Sequence, residues 1–442
     1  MDYLTDPVGK LYKKLVPSAI GSMLTATVAS LIDTIILSYY LGPVMLSSVS
    51  ICMPIYMILN ALALLIASGG ATLCATYVGK GDSKESNRFF TAASACIVAV
   101  GLLLTVIGLL FTKEIVMLLG ANDSIWDSTF AYARVLMAFI LPLMLYCLML
   151  FFVRFDSDPG LALAATGTCA VTNLVLDILF VGPLNMGAAG AALATCLAYT
   201  VATLLGFTHF LKKKNTLRLV RGSLSADRIL RILRTGVPLS LSQFGMALTT
   251  SVFNTQIMRI GGELHVTAYA IVTQLSMSAL AFYEGVAQAA QPILAANFGA
   301  KKPDRVRETM RIGLLLEMIF TGMCLAVFVI GAKTVAGFFS IYEGELLHIS
   351  VRAIRLFALS IPFTGLNMLG TYFFQARERT APATAISLLS GTVLLIAALL
   401  ALTACFGPDG IWWSWLLAQA LCLIYTVFAA SRDVFGSMTG SK

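Results

Sequence analysis

The stretch Ala29-Ser30-Leu31-Ile32-Asp33-Thr34-Ile35-Ile36-Leu37 decides how this chain is read. It is an apolar run with one carboxylate in it, and between Lys14 and Lys80 no other Asp, Glu, Lys or Arg occurs. A charge in hydrocarbon costs about 3 kcal/mol or more unless it faces protein or water, so an acid in such a run marks a functional site. Around it the chain is 58% hydrophobic and 12% charged over 442 residues, against roughly 25% charged for soluble domains. Apolar runs near the ~20 residues that cross a bilayer as helix recur at 11–39, 47–78, 89–111, 128–153, 160–181 and 187–210. They continue at 234–258, 267–297, 310–331, 352–374, 382–404 and 410–430. The expected fold class is an all-α integral membrane protein with twelve transmembrane helices.

The formal charge of +8 orients this protein and does not mark a nucleic-acid partner. With the amino terminus in the cytoplasm, the tails and even-numbered loops hold 24 of the 30 basic residues. The opposite face keeps Lys113, Arg134, Arg259, Lys333, Arg352 and Arg355, which predicts both termini on the cytoplasmic side. The first run is too long for a signal-peptide core, and its leader Met1-Asp2-Tyr3 is acidic, so it is expected to stay as the first span. None of the nine cysteines stands at metal-clip or redox spacing from another, and they read as small core residues.

The longest polar connection, Lys212 to Arg234, splits the helices six and six and invites a search for a repeat. Val16-Pro17-Ser18 returns as Val237-Pro238-Leu239, and at one spacing from each proline stand Asp33-Thr34 and Asn254-Thr255. Ala75-Thr76-Tyr77-Val78-Gly79-Lys80 answers Ala296-Asn297-Phe298-Gly299-Ala300-Lys301, and Pro142 answers Pro362. An even number of helices per half makes these parallel repeats. The expected division is an amino-terminal lobe at 1–211, a cytoplasmic linker at 212–233 and a carboxy-terminal lobe at 234–442.

Asn173, Asp177 and Thr195 form a second polar island. Positions 173 and 177 share one helix face, and the turn Gly182-Pro183-Leu184-Asn185 makes the fifth and sixth helices antiparallel neighbours. At ~1.5 Å per residue, Asp177 and Thr195 lie roughly 10 Å below the outer surface, and Asp33, seven residues before Tyr40, matches them. Asn173 or Thr195 alone would read as interhelical hydrogen-bond glue. Two acids at one depth point instead to oxygen ligands for a hard cation, Na+ included, or to a pair sharing a proton.

The second half lacks this chemistry. Asn254 replaces Asp33, Ala397 and Ala398 fall near the counterpart of Asp177, and Trp415 near that of Thr195. It carries amides and aromatics instead: Gln243, Phe244, Gln274, Phe282, Tyr283, Gln288 and Gln291. Glu284, close to the midplane beside Phe282 and Tyr283, fits either a lipophilic cation or a structural partnership with an amide. Glu317 reads as part of a polar cluster with Glu308 and Arg311 near the inner face.

These residues resemble the multidrug and toxic compound extrusion (MATE) transporters across nearly the whole chain. The resemblance rests on Pro17 with Asp33, Gly79-Lys80-Gly81-Asp82, Asn173-x-x-x-Asp177-x-x-Phe180 and Gly187-x-x-Gly190-x-x-x-x-Thr195. Gln288-x-x-Gln291-Pro292 and Phe374-Gln375-Ala376-Arg377 extend it. It implies two six-helix lobes in a V, a cavity open alternately to each side, and an antiporter expelling organic, often cationic, compounds as Na+ or H+ enters. It also implies coupling-ion binding at Asp33, Asn173, Asp177 and Thr195. No acid lies between Pro238 and Met258 or between Phe357 and Gln375, which departs from the NorM-like branch and favours the DinF-like one.

The reading is a cation-coupled multidrug exporter of the cytoplasmic membrane, with Pro17 as a hinge in the first helix and Gln243, Phe244, Gln274, Phe282, Tyr283, Glu284 and Gln288 lining the substrate cavity. It is expected to work as a monomer in lipid, with a small-molecule substrate, no cofactor beyond the coupling ion and no nucleic acid. The alternatives are a flippase for a lipid-linked precursor, which would want basic residues in its deep segments, and an intramembrane enzyme using Asp33 and Asp177, which lack a Gly-x-Gly-Asp motif.

Overall fold

Helices follow one another with short turns in the computed structural model, which describes residues 2–119, 125–212, 215–339 and 341–438, and not the side chains of 42–47, 50, 247 and 433–438. In the first half run α1 (Val8–Gly79), α2 (Ser83–Leu110), α3 (Thr112–Leu118), α4 (Trp126–Ala138), α5 (Ile140–Phe155), α6 (Pro159–Val181) and α7 (Gly187–Phe207). The second half holds α8 (Ala226–Gly299), α9 (Pro303–Leu325), α10 (Ala332–Phe338), α11 (Gly344–Ala376), α12 (Thr380–Leu388), α13 (Leu394–Phe406) and α14 (Asp409–Met438). No strand occurs among the described residues.

Local chemistry sets the boundaries. The side chain of Asp82 caps α2 by accepting from the Glu85 N–H, and Asp158 caps α6 by accepting from the Leu161 N–H ahead of Pro159 in the first turn. Between α4 and α5 the axis bends by 53° at Phe139. Pro142 explains the bend, because it has no N–H for the Ala138 carbonyl and its ring collides with that turn.

Among the described residues ten helical segments, α1 supplying two of them (Val8–Leu41 and Ile51–Gly79), are long and apolar enough to cross a membrane, and the bent α4–α5 pair makes an eleventh span. The 74-residue α8 would be ~110 Å long as one rod, far beyond a ~30 Å hydrocarbon core. It is broken at Gly262, whose backbone (φ 67°, ψ −166°) is non-helical, so its arms at 226–261 and 263–299 supply two spans, and the total reaches the twelve expected. The loop expected at 259–266 shrinks to that single residue, since Gly tolerates the positive φ without strain.

The chain packs as two units. One comprises Lys13–Gly236 with the residues up to Asp6; the other comprises Pro7–Tyr12 with the residues from Val237 on. In the first unit, α1 and the start of α8 meet backbone to backbone, because a Cβ on Gly236 would lie 1.8 Å from the Leu65 carbonyl oxygen and one on Gly69 would lie 2.1 Å from that of Ile232. Small residues permit this approach, which is how helices associate where lipid offers no hydrophobic driving force. The second unit is centred on Phe253, Tyr269, Tyr283, Phe357 and Trp412.

Candidate ion site

Asp33 on α1, Asp177 on α6 and Thr195 on α7 are brought to one level by the α6–α7 turn. That turn is closed by the bond from Met186 N–H to the Phe180 carbonyl (2.9 Å) and uses positive φ at Asn185 and Gly187. A Cβ on Gly182 would lie 3.2 Å from Tyr40 Cε1, so Tyr40 stands level with Gly182. Counting back along each helix places both acids at similar depth, as the spacing predicts.

One turn from each functional residue, towards that end, comes an apolar partner. Leu37 follows Asp33, Val181 follows Asp177 and Ala191 precedes Thr195 on the antiparallel α7. These three form one buried cluster with Leu41, Val49 and Tyr132 packed on it. The cluster forms an apolar plug one turn from the acids on the Gly182 side, with Asp177 buried and Asp33 half-buried.

Asp177 is fully buried, and neither of its carboxyl oxygens has a hydrogen-bond partner; Asp33 Oδ1 is likewise unpartnered. The two carboxyls are electrostatic neighbours, with Asn173 beside Asp177 and the Tyr132 phenol facing Asp33. Asn173 Nδ2 donates to Thr195 Oγ1 (3.3 Å), which donates to the Ala191 carbonyl (3.1 Å). Buried acceptors left unmade cost free energy until a proton or cation meets them. The arrangement is thus a set of oxygens waiting for a small positive charge. Among the described residues no group of three or more His, Cys, Asp or Glu could hold a metal ion. Tyr132 is the member that sequence reasoning missed, although it lies nearly two turns from the start of α4, much as Asp33 lies from Tyr40.

In the second unit the equivalent place is filled with rings. Trp415 packs edge-on against Phe253 (5.9 Å) and Phe357 (5.5 Å), Ala398 joins the same core, and Asn254 is exposed. Glu284 Oε1 accepts from Gln288 Nε2 (3.1 Å), and Gln291 Nε2 donates to Gln375 Oε1 (3.1 Å). Phe282 lies on Phe320 (5.0 Å), whereas Tyr283 is buried with its hydroxyl at Thr321 Oγ1 (2.8 Å). Phe244 is exposed, Gln243 and Gln274 are half-buried, and α1 stays helical through the exposed Pro17. Glu317 departs from expectation: it is buried, while Glu308 and Arg311 are exposed. At 100° per residue those two leave from other faces of α9, so the expected cluster does not form.

Two halves of six spans with an unpartnered acid pair in one of them define a multi-pass membrane transporter. The sequence model of the MatE family matches twice, at residues 17–179 and 238–400, and the chain belongs to that family of multidrug efflux transporters. The matches open on Pro17 and Pro238, the two residues that anchor the internal repeat. Members are secondary transporters rather than enzymes. The chain is 25% identical over 418 residues to the multidrug export protein MepA of Staphylococcus haemolyticus, covering 93% of this chain and 90% of that protein. Against the MepA of Staphylococcus saprophyticus the figures are 26% over 419 residues, 92% and 90%. Among solved structures, the outward-facing conformation of a multidrug resistance MATE family transporter of the MOP superfamily shares the fold with a TM-score of 0.92, at 21% identity, over 99% of this chain and 98% of that one.

Proposed function

We propose that the chain is an antiporter of the cytoplasmic membrane that exports organic, cationic or amphipathic compounds in exchange for H+ or Na+ by alternating access. The observation that carries this is the Asp33–Asp177 pair, whose buried oxygens lack partners one turn from the plug of Leu37, Val181 and Ala191. An arriving cation or proton, held by Asp33, Asn173, Asp177 and Thr195, relieves that deficit and stabilises one state over the other. Coupling needs only that ion and substrate prefer different states. Pro17, which lacks a backbone donor, lets the first helix bend and carry Asp33 with it.

In this reading the lobes are 1–211 and 234–442, joined by a cytoplasmic linker at 212–233, and the transporter acts as a monomer in lipid with both termini in the cytoplasm. Gln243, Phe244, Gln274, Phe282, Tyr283, Glu284 and Gln288 serve the substrate, Glu284 and its neighbouring rings suiting a lipophilic cation. The naming of similar proteins as multidrug exporters supports a broad substrate range. The lack of acids at 238–258 and 357–375 favours the DinF-like branch, and the scarcity of Lys and Arg in deep segments favours an exporter over a lipid-diphosphate flippase. Efflux from proteoliposomes under imposed H+ or Na+ gradients tests this: Asp33→Asn and Asp177→Asn should each abolish gradient-driven efflux, and full efflux in both would sink the coupling site.

A further inference from the structure

The buried residues of α9 are Thr309, Gly313, Glu317 and Thr321, four apart along a single stripe. Glu317 is 2% exposed, and neither carboxyl oxygen has a hydrogen-bond partner. One turn before it, the Tyr12 hydroxyl covers Gly313 and donates to the Thr309 carbonyl (2.9 Å). One turn after it, the Tyr283 hydroxyl shares a proton with Thr321 Oγ1 (2.8 Å). Both tyrosines are electrostatic neighbours of Glu317, yet both hydroxyls are already engaged elsewhere.

Among the described residues neither oxygen of the Glu317 carboxyl is paired with a cationic side chain. From α11 come Leu369, against Gly313, and Gly365, beneath the Tyr283 ring. On α9 itself Cys324 lies near Tyr283, Arg305 binds Asn297, Arg307 faces Asp304, and Glu308 and Arg311 are exposed. A carboxyl with no partner is a poor structural brace, since a well-packed apolar side chain would cost less in the same place. What it can do, and an amide or an alkyl group cannot, is take up and release a proton.

We propose that Glu317 is a second proton-exchange site, located in the carboxy-terminal unit and separate from Asp33. With the stripe closed between Tyr12 and Tyr283 the carboxyl holds its proton, because an unpaired charge is not tolerated there; when water reaches the stripe, the proton leaves. The use of this site in transport rests on the exporter reading, whereas its chemistry does not.

Dicyclohexylcarbodiimide modifies protonated carboxyls in apolar surroundings, so mass spectrometry of the full-length chain in nanodiscs reads the site directly. Glu317 should carry the adduct in the parent and in Asp33→Asn, with labelling falling as the buffer turns alkaline; no adduct at any pH would overturn the proposal. In weakly buffered detergent, Glu317→Gln should release fewer protons than the parent when tetraphenylphosphonium binds, and equal release would also overturn it. Should that variant fail to fold, the adduct on the parent still decides. Labelling of Glu317 alongside undiminished gradient-driven efflux in Asp33→Asn would sink the amino-terminal coupling site and leave this one standing.

Discussion

Asn173 and Thr195 are joined across α6 and α7 by one hydrogen bond of 3.3 Å, and the Thr195 hydroxyl in turn donates to the Ala191 carbonyl. The chain of bonds fixes the direction of the Asn173 amide, which stands beside Asp177. Thr195 thus sets the geometry of a site whose charges lie on other helices.

Thr195→Val keeps the shape and removes the acceptor. Losing one such bond costs about 1 kcal/mol, or roughly fivefold in affinity. The ion concentration for half-maximal efflux should rise by about that factor while the melting temperature in detergent moves little.

Leu37→Ala opens the plug. A buried Leu→Ala change costs about 2–5 kcal/mol where the site cannot collapse, and Leu37 is 3% exposed. The variant should melt earlier in detergent and should leak the coupling ion in proteoliposomes without substrate.

Gly236→Ala places a methyl 1.8 Å from the Leu65 carbonyl oxygen, where only backbone movement can relieve it. The expected loss is about 2–3 kcal/mol. Gly167→Ala on α6 meets nothing within 4 Å and should be neutral or mildly stabilising, so the pair separates crowding from helix propensity.

Asp158 gives a pH test. Burial works against its ionised form, but Lys212 and His209 outweigh it and hold the carboxyl below its usual range. A depressed folded-state value means that the stabilisation is complete above the unfolded value of ~3.9 and is lost as pH falls through the folded one. Asn at 158 can still cap the Leu161 N–H. Asp158→Asn should therefore be less stable than the parent at neutral pH by under about 1 kcal/mol, as Lys212 is 46% exposed. The gap should close in strong acid, read as thermal melting against pH.

The acid pair was legible in the chain because a helix advances by a fixed step and a short turn pins α6 to α7. Counting from Tyr40, Gly182 and Gly187 was enough. Leu37, Val181 and Ala191 carry the same register, yet in a chain so apolar no local signal sets three alkyl groups apart. Gly69 and Gly236 meet through backbone, which leaves no trace in sequence distant by so much. Glu317 is obscured for another reason: Glu308 and Arg311 are its neighbours along the chain, but they leave from other faces of the helix. Trp415 and Phe253 show why the repeat could not be carried over literally, since rings occupy in one half what carboxylates occupy in the other.

Residues Pro7–Tyr12 open the leading helix of the first half but pack with the second, and Tyr12 anchors them on Thr309. Swapped segments of this kind usually tie two subunits together; here the exchange is between tandem copies within one polypeptide. A truncation of the first dozen residues would accordingly injure the distal half rather than the proximal one. Two co-expressed fragments cut in the 212–234 connection would each hold a piece of the other, so neither copy is expected to fold as a free-standing module.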